Sequence, residues 1–100
     1  MNVTVLESAK DDLIDGFRFY EMQEPGLGDY FLSNLYSDIE SLALLGGIHA
    51  KPHGNLHRSL SKRFPFAIYY GVSDGEILVR AIVDCRRKPS WIRGKLGGSE

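Results

Sequence analysis

The chain has 100 residues, of which 43% are hydrophobic and 25% are charged, a composition typical of one globular domain and unlike that of disordered or fibrous proteins. No apolar run approaches the roughly 20 residues that span a bilayer, and residues 1–10 lack the zones of an export signal. A single cytoplasmic domain over residues 1–96 is therefore expected, followed by a flexible glycine-rich tail at 97–100.

The net charge of -1 conceals an asymmetry between the two halves of the chain. Residues 1–50 carry nine acidic and two basic side chains, whereas residues 51–100 carry ten basic and four acidic ones. A basic half in a weakly acidic protein indicates a localised contact with an anionic partner. The alternative is that the two halves fold onto one another and neutralise each other.

The first 23 residues predict a strand followed by a helix. Residues 2–6 have the β-branched and apolar character of a short strand. Ser8 fits a helix N-cap, with Asp11 at the capping-box distance, and the apolar stripe of the helix runs to about Gln23. Pro25 and the glycines beside it then end the helix.

A second helix is predicted to end at Gly46-Gly47. Its apolar stripe consists of Phe31, Leu35, Ile39, Leu42 and Leu45. Because the loop between the helices is short, they are expected to run antiparallel as an α-helical hairpin.

Three strands are predicted after a loop over residues 48–55. Residues 56–62 alternate between a side with Leu56 and Leu60 and a polar side that begins with His57. Residues 66–72 and 77–85 flank an Asp-Gly pair, which is typical of a β-hairpin turn. One face of the last strand is expected to hold Ile77, Val79, Ala81, Val83 and Cys85, with the lone cysteine filling strand space.

The resulting order β-α-α-β-β-β predicts an α+β fold. In this fold an antiparallel sheet packs on one face against the helical hairpin, and its other face stays uncovered.

Histidines at positions 49, 53 and 57 have the spacing of helical metal ligands, but Pro52 and Gly54 interrupt the segment, so no metal site is expected. The sequence also lacks a phosphate loop and a nucleophile elbow, and no cofactor is expected. His57 is the best candidate for a general acid or base.

Cations on the predicted strands are the remaining candidates for a site. On an open sheet they can line up across strands and hold phosphates or carboxylates. They are Arg58, Lys62, Arg63, Arg80, Arg86 and Arg87. The alternative is that they are ordinary solvated charges.

Several segments in this order resemble the RelE/ParE superfamily of type II toxins. They are Phe17-x-x-Tyr20-Glu21, Pro25-Gly26-Leu27-Gly28 before Phe31-Leu32, Arg63-Phe64-Pro65-Phe66-x-Ile68-x-Tyr70, and Arg86-Arg87-x-Pro89-x-Trp91. The resemblance covers almost the whole chain. It implies a small growth-inhibiting toxin neutralised by a cognate antitoxin, with a homodimer or a heterotetramer with the antitoxin as the assembly.

The resemblance implies one of two targets. Members that cleave mRNA on the ribosome carry an arginine where this chain has Ala67. They also carry a C-terminal tyrosine or a histidine–tyrosine pair, where this chain offers Trp91 and Arg93 instead. A ParE-like inhibitor of DNA gyrase is therefore favoured over a ribosome-dependent mRNA endoribonuclease. If the chain is a nuclease, Arg58, His57 and Arg87 are its candidate catalytic residues. A member that has lost toxicity and acts only in a regulatory complex is a third alternative.

The antitoxin is expected to bind an apolar groove beside the helical hairpin, or an exposed edge strand. The groove residues predicted are Phe17, Tyr20, Leu35 and Trp91. Basic residues beside it favour an acidic peptide.

Overall fold

A computed structural model describes residues 1–97, within which the chain forms four strands and four helices. In chain order they are β1 (Asn2–Val5), α1 (Glu7–Gln23), α2 (Leu27–Glu40), α3 (Leu42–Leu45), β2 (His57–Leu60), β3 (Phe66–Ser73), β4 (Glu76–Asp84) and α4 (Pro89–Lys95). The strands form one sheet, and α1 and α2 share a core with one of its faces, so the predicted α+β fold is confirmed. The predicted tail lies outside the described residues from position 98 onward.

The sheet is mixed, which corrects the prediction of an antiparallel one. Its strand order is β1-β4-β3-β2. The meander β2-β3-β4 is antiparallel as expected, whereas β1 runs parallel to β4 with Val3 opposite Ile77. Alternation in a sequence assigns side chains to faces but does not specify which strand is the neighbour, or in which direction it runs. The β3–β4 turn is as predicted, with positive φ at both Asp74 (50°) and Gly75 (74°).

The main core lies between the helical pair and the sheet. Its largest fully buried side chains include Leu13, Phe31, Leu35, Leu42, Ile68, Tyr70, Ile77 and Val79. The two helices approach closely where α1 has no side chain. A Cβ on Gly16 would lie 2.5 Å from two carbons of the Phe31 ring, so only glycine allows this separation.

The predicted helix limits change at two places. α1 begins at Glu7 without a side-chain cap, because the Ser8 hydroxyl instead donates to the carbonyl of Arg80 on β4 at 2.7 Å. The predicted second helix is interrupted at Ser41, whose hydroxyl donates to the Asp38 carbonyl at 2.6 Å. A serine bonding to the preceding turn often bends a helix, and here the chain continues as the short α3.

A β-bulge changes the face assignment of β4. Tyr69 pairs with Ala81 and Tyr70 pairs with Val79, so Arg80 is the extra residue. Ile77 and Val79 therefore face the helices, whereas Ala81 and Val83 face the other side of the sheet. The predicted single apolar face of β4 was wrong, because one inserted residue reverses the alternation after it.

A short C-terminal helix covers part of the second sheet face, which corrects the prediction that this face is open. Ile92 and Leu96 pack against a second small core formed by Ala67, Tyr69, Ala81 and Val83. Pro89 lies in the first turn of α4, where a residue without an N–H is tolerated.

Cys85 is also placed differently from the prediction. β4 ends at Asp84, and Cys85 follows it as an exposed residue whose N–H donates to Pro65. It does not fill space within a strand.

Candidate functional site

The six predicted cationic residues lie in four places instead of on one open surface. Arg58 projects from β2 on the face opposite the helices, and Arg80 lies at the bulge near Leu96. Lys62 and Arg63 belong to the exposed connection between β2 and β3. The remaining two, Arg86 and Arg87, follow β4 and are described next.

Arg86 forms an ion pair with the residue that ends β4. Its Nε lies 2.9 Å from Asp84 Oδ1 and its Nη2 lies 2.8 Å from Asp84 Oδ2. The hydrogen bonds from Arg86 hold the pKa of Asp84 below its usual value, and the same contact raises the pKa of Arg86. Two of the five N–H donors of this guanidinium are therefore already used.

Arg87 lies at a groove between α1 and α4, which we call the α1–α4 groove. The guanidinium carbon is 4.3 Å from the centroid of the Trp91 indole, so cation and ring stack. The groove has a volume of about 240 Å³. Its apolar lining comes from Phe19, Phe66, Ile82 and Trp91, and its charged lining from Asp12, Asp15, Asp84, Arg87 and Lys95. This mixture of charges differs from the predominantly basic border that was expected.

Only part of the predicted antitoxin groove is at the surface. Leu35 is fully buried and Tyr20 is 8% exposed, because both belong to the main core. Phe17 is partly buried, and Trp91 is 42% exposed on α4. Phe19, which the sequence reasoning missed, is 52% exposed on the wall of the α1–α4 groove. The missed helix α4 explains why the position of the groove was not predicted.

The candidate nuclease residues do not share one pocket. His57 is buried on the helix-facing side of β2, where its ring stacks on Tyr70 with centroids 5.0 Å apart. Its Nδ1 donates to the carbonyl of His49 at 2.6 Å. Neighbouring residues of a strand point to opposite faces, so Arg58 projects away from His57. Arg87 lies in the α1–α4 groove, and these three side chains do not form one constellation.

Two of the three histidines contact Tyr70, His49 at its hydroxyl and His57 at its ring. The N–H of Gly47 donates to this hydroxyl at 2.9 Å, and His49 Nδ1 lies 2.5 Å from it. His53 is separate, with its ring 6.1 Å from that of Tyr69. The regular spacing of the histidines in sequence therefore reflects a loop that brings two of them to one tyrosine.

Within residues 1–97, β1 is an edge strand of the sheet, and no strand pairs with its outer side. Leu6 donates its N–H to the carbonyl of Val79 on β4 at 3.0 Å. Since alternate residues of a strand bond to the same neighbour, Thr4 faces β4 as Leu6 does, and the N–H and C=O groups of Val3 and Val5 point to the outer edge. Such an edge can accept an added strand.

Within residues 1–97, no helix has both the length and the apolar character needed to cross a membrane.

Of the comparisons with known proteins, the one with solved structures finds a match. No family model and no curated protein sequence matches the chain. Among solved structures, the chain is similar to one from the chromosomal ParDE TA system of P. aeruginosa, with a TM-score of 0.75 and 18% sequence identity. The match covers 84% of this chain and 95% of that one. At this identity the similarity establishes a shared fold, which is the fold that the resemblance to RelE/ParE toxins implies.

Proposed function

We propose that the chain is the toxin of a type II toxin–antitoxin pair, neutralised in the cytoplasm by a cognate antitoxin. The observation that carries the proposal is the shared fold over 95% of a chain from a ParDE TA system. The toxin acts by binding DNA gyrase and not by catalysis. Its gyrase contacts include Arg87, which lies exposed beside the α1–α4 groove.

Two surfaces suit the antitoxin. The α1–α4 groove has aromatic rings on opposite walls, Phe19 on α1 and Trp91 on α4, which fit the apolar side of an amphipathic helix. The edge of β1 offers the free backbone groups of Val3 and Val5 to an extended segment. An antitoxin that binds both surfaces has a helix followed or preceded by a strand. The helix lies in the α1–α4 groove and the strand pairs with β1.

The arrangement of the candidate catalytic residues supports an inhibitor over a nuclease. RNA cleavage needs a proton acceptor and phosphate-binding cations around the same scissile bond. His57 and Arg58 point to opposite faces of β2, and His57 Nδ1 is engaged with a backbone carbonyl. The resemblance to cleaving toxins aligns their arginine with position 67. In this chain that position is a buried alanine beneath α4.

The target is tested with purified chain in a gyrase supercoiling assay and with total RNA from induced cells. The proposal predicts that supercoiling by gyrase is inhibited and that transcripts stay intact during growth arrest. Intact supercoiling with mRNA cut at codon-spaced positions would identify a ribosome-dependent endoribonuclease instead. Both assays are repeated with Arg87→Ala, which removes the proposed gyrase contact. Arg93→Ala, which removes an exposed arginine from α4, is the matched control.

A further inference from the structure

Each wall of the α1–α4 groove presents a charged side chain next to an aromatic one. On α1 these are Asp15 and Phe19, which lie one helical turn apart. On the wall formed by α4 and the turn before it they are Arg87 and Trp91, which stack on each other. Phe19 is 52% exposed and Trp91 is 42% exposed. Exposed aromatic rings on both walls of one groove are typical of a surface that binds another protein.

Three of the five charged side chains that line the groove are already paired. Asp12 accepts the N–H of Ile82 and pairs with Lys95, so α1 and α4 are joined across the groove at this point. Both carboxylate oxygens of Asp84 are held by Arg86. These groups therefore have little charge left to offer a ligand.

The two remaining charges have opposite signs and lie on opposite walls. Within residues 1–97, neither Asp15 nor Arg87 forms a salt bridge, and both side chains are exposed. The charge of Arg87 contributes to lowering the pKa of Asp84, but the carboxylate of Asp84 bonds to Arg86 instead. The groove thus offers a ligand one carboxylate on α1 and one guanidinium on the other wall.

This arrangement of charges distinguishes between the two directions in which a helix can lie in the groove. An amphipathic helix with its apolar stripe on the aromatic rings has one polar flank on each wall. A basic residue beside Asp15 and an acidic residue beside Arg87 each gain an attractive contact. Turning the helix end to end exchanges its flanks and makes both contacts repulsive. The two charges therefore select the direction of a bound helix as well as its composition.

We propose that the α1–α4 groove binds an amphipathic helix whose two flanks carry opposite charges, basic beside Asp15 and acidic beside Arg87. The inference rests on the proposed function, in which this groove receives the antitoxin helix, and it specifies the chemistry of that helix. It replaces the sequence-based expectation of an acidic peptide, because that expectation counted cations that lie elsewhere on the sheet or, like Arg86, are paired.

Three designed peptides test the charge pattern. Each has about 20 residues, enough to form a helix in water, and all share one apolar stripe. The flanks are lysine on one side and glutamate on the other, glutamate on both, or lysine on both. Affinity is measured by titrating the ¹⁵N-labelled chain at low ionic strength. The mixed peptide is expected to bind about three- to tenfold more tightly than either other, since an attractive contact replaces a repulsive one.

Asp15→Lys tests whether the groove itself sets this preference. The substitution makes both free charges positive, and the peptide with glutamate on both flanks is then expected to bind most tightly. Asp11→Lys makes the same change at an exposed position of α1 outside the groove lining and is expected to leave the mixed peptide preferred. The same shift of preference in both variants would mean long-range attraction to net charge and would refute contacts within the groove.

A nitroxide label at the amino end of the mixed peptide reports the direction of the bound helix. The label broadens amide signals either near Asp12 and Lys95 or near Phe19 and Arg87. Exchanging lysine and glutamate between the flanks is expected to move the broadening from one of these places to the other. Broadening at the same place with both peptides would contradict orientation by charge.

The remaining outcomes separate this inference from the proposed function. Equal affinity of the three peptides would overturn the charge pattern and leave the groove as a helix site, and binding of none would overturn both. Neither result bears on toxicity, which the viability of cells with and without the antitoxin measures. A stable dimer of the chain that Phe19→Ser dissociates in sedimentation velocity would assign the groove to a second copy and overturn the inference.

Discussion

Arg87 is stacked on Trp91, with its guanidinium carbon 4.3 Å from the centroid of the indole ring. The first residue lies just after β4 and the second lies within α4, so the contact closes the turn between them. The pair forms part of one side of the α1–α4 groove, opposite α1. It also orients an exposed cation beside an exposed aromatic ring, a combination common among residues that dominate binding at protein interfaces.

Arg87→Ala is expected to weaken growth inhibition strongly while the chain stays folded. An exposed cation–π contact contributes only about 0.5–1 kcal/mol to stability, whereas loss of an arginine hot spot at an interface costs about 2 kcal/mol or more. Growth rate after induction, compared at equal protein level, measures the effect, and Arg93→Ala is the control. Unchanged inhibition by Arg87→Ala would remove Arg87 from the target contact.

Gly16→Ala is expected to destabilise the fold by about 1–3 kcal/mol, because the new methyl group overlaps the Phe31 ring and pushes α1 away from α2. Urea denaturation followed by far-UV circular dichroism gives the change in the free energy of unfolding. Gly71→Ala is the control, since a Cβ there meets no atom within 4 Å. Equal stability of the Gly16→Ala variant and the natural chain would contradict the close helix packing.

Asp12→Ala is expected to cost more stability than Lys95→Ala. The Asp12 carboxylate makes two contacts. It accepts the N–H of Ile82, at a point of β4 that β1 does not reach, at 3.0 Å, and it pairs with the Lys95 ammonium group on α4 at 2.5 Å. Removing the carboxylate leaves a part-buried N–H without its acceptor, at a cost of about 1–3 kcal/mol.

Lys95→Ala keeps the bond between Asp12 and Ile82 and removes only the ion pair, in which the Lys95 side chain is 30% exposed and the Asp12 side chain 8%. The two variants are compared by their midpoints of urea unfolding. A larger loss for Lys95→Ala would show that α4 is held by the ion pair and not by the packing of its apolar residues.

Asp84→Asn is expected to change how stability depends on pH. The folded-state pKa of Asp84 is lowered by Arg86, so the pair stabilises the fold above the unfolded-state pKa, and this stabilisation is lost as pH falls through the folded-state value. The pair is largely exposed, and its contribution at neutral pH is about 0.5–1 kcal/mol.

Thermal unfolding of both chains from about pH 6 down to about pH 2 checks this expectation. The difference between them should be present at pH 6 and shrink at the acidic end. Asp74→Asn, in the exposed β3–β4 turn, is the control with the same chemical change. A stability difference between the two chains that grows as the pH falls would contradict a lowered pKa of Asp84 in the folded state.

The elements that sequence periodicity identified correctly are those with uninterrupted patterns. The stripe from Phe31 to Ile39 marked α2, and the Asp74-Gly75 pair marked the β3–β4 turn. The bulge at Arg80 could not be recognised, because it depends on pairing with β3 and leaves no gap in the apolar pattern. For the same reason half of β4 was assigned to the wrong face.

The candidate site was less predictable than the fold. Composition identified the cations, but the groove beside Arg87 depends on α4, whose seven residues show no strong apolar stripe. Pro89 at its first turn was the one available signal. His57 was singled out as an acid or base because of its residue type, and only the structure shows its Nδ1 bound to His49 and its ring stacked on Tyr70.

The central claim is that this chain arrests growth and that an antitoxin relieves the arrest. The direct measurement is the number of colony-forming cells after induction of the chain alone, and after its co-expression with the protein encoded by the neighbouring open reading frame. A fall of several orders of magnitude that co-expression restores is the predicted result. Full viability of cells that accumulate the folded chain alone would contradict the assignment as a toxin.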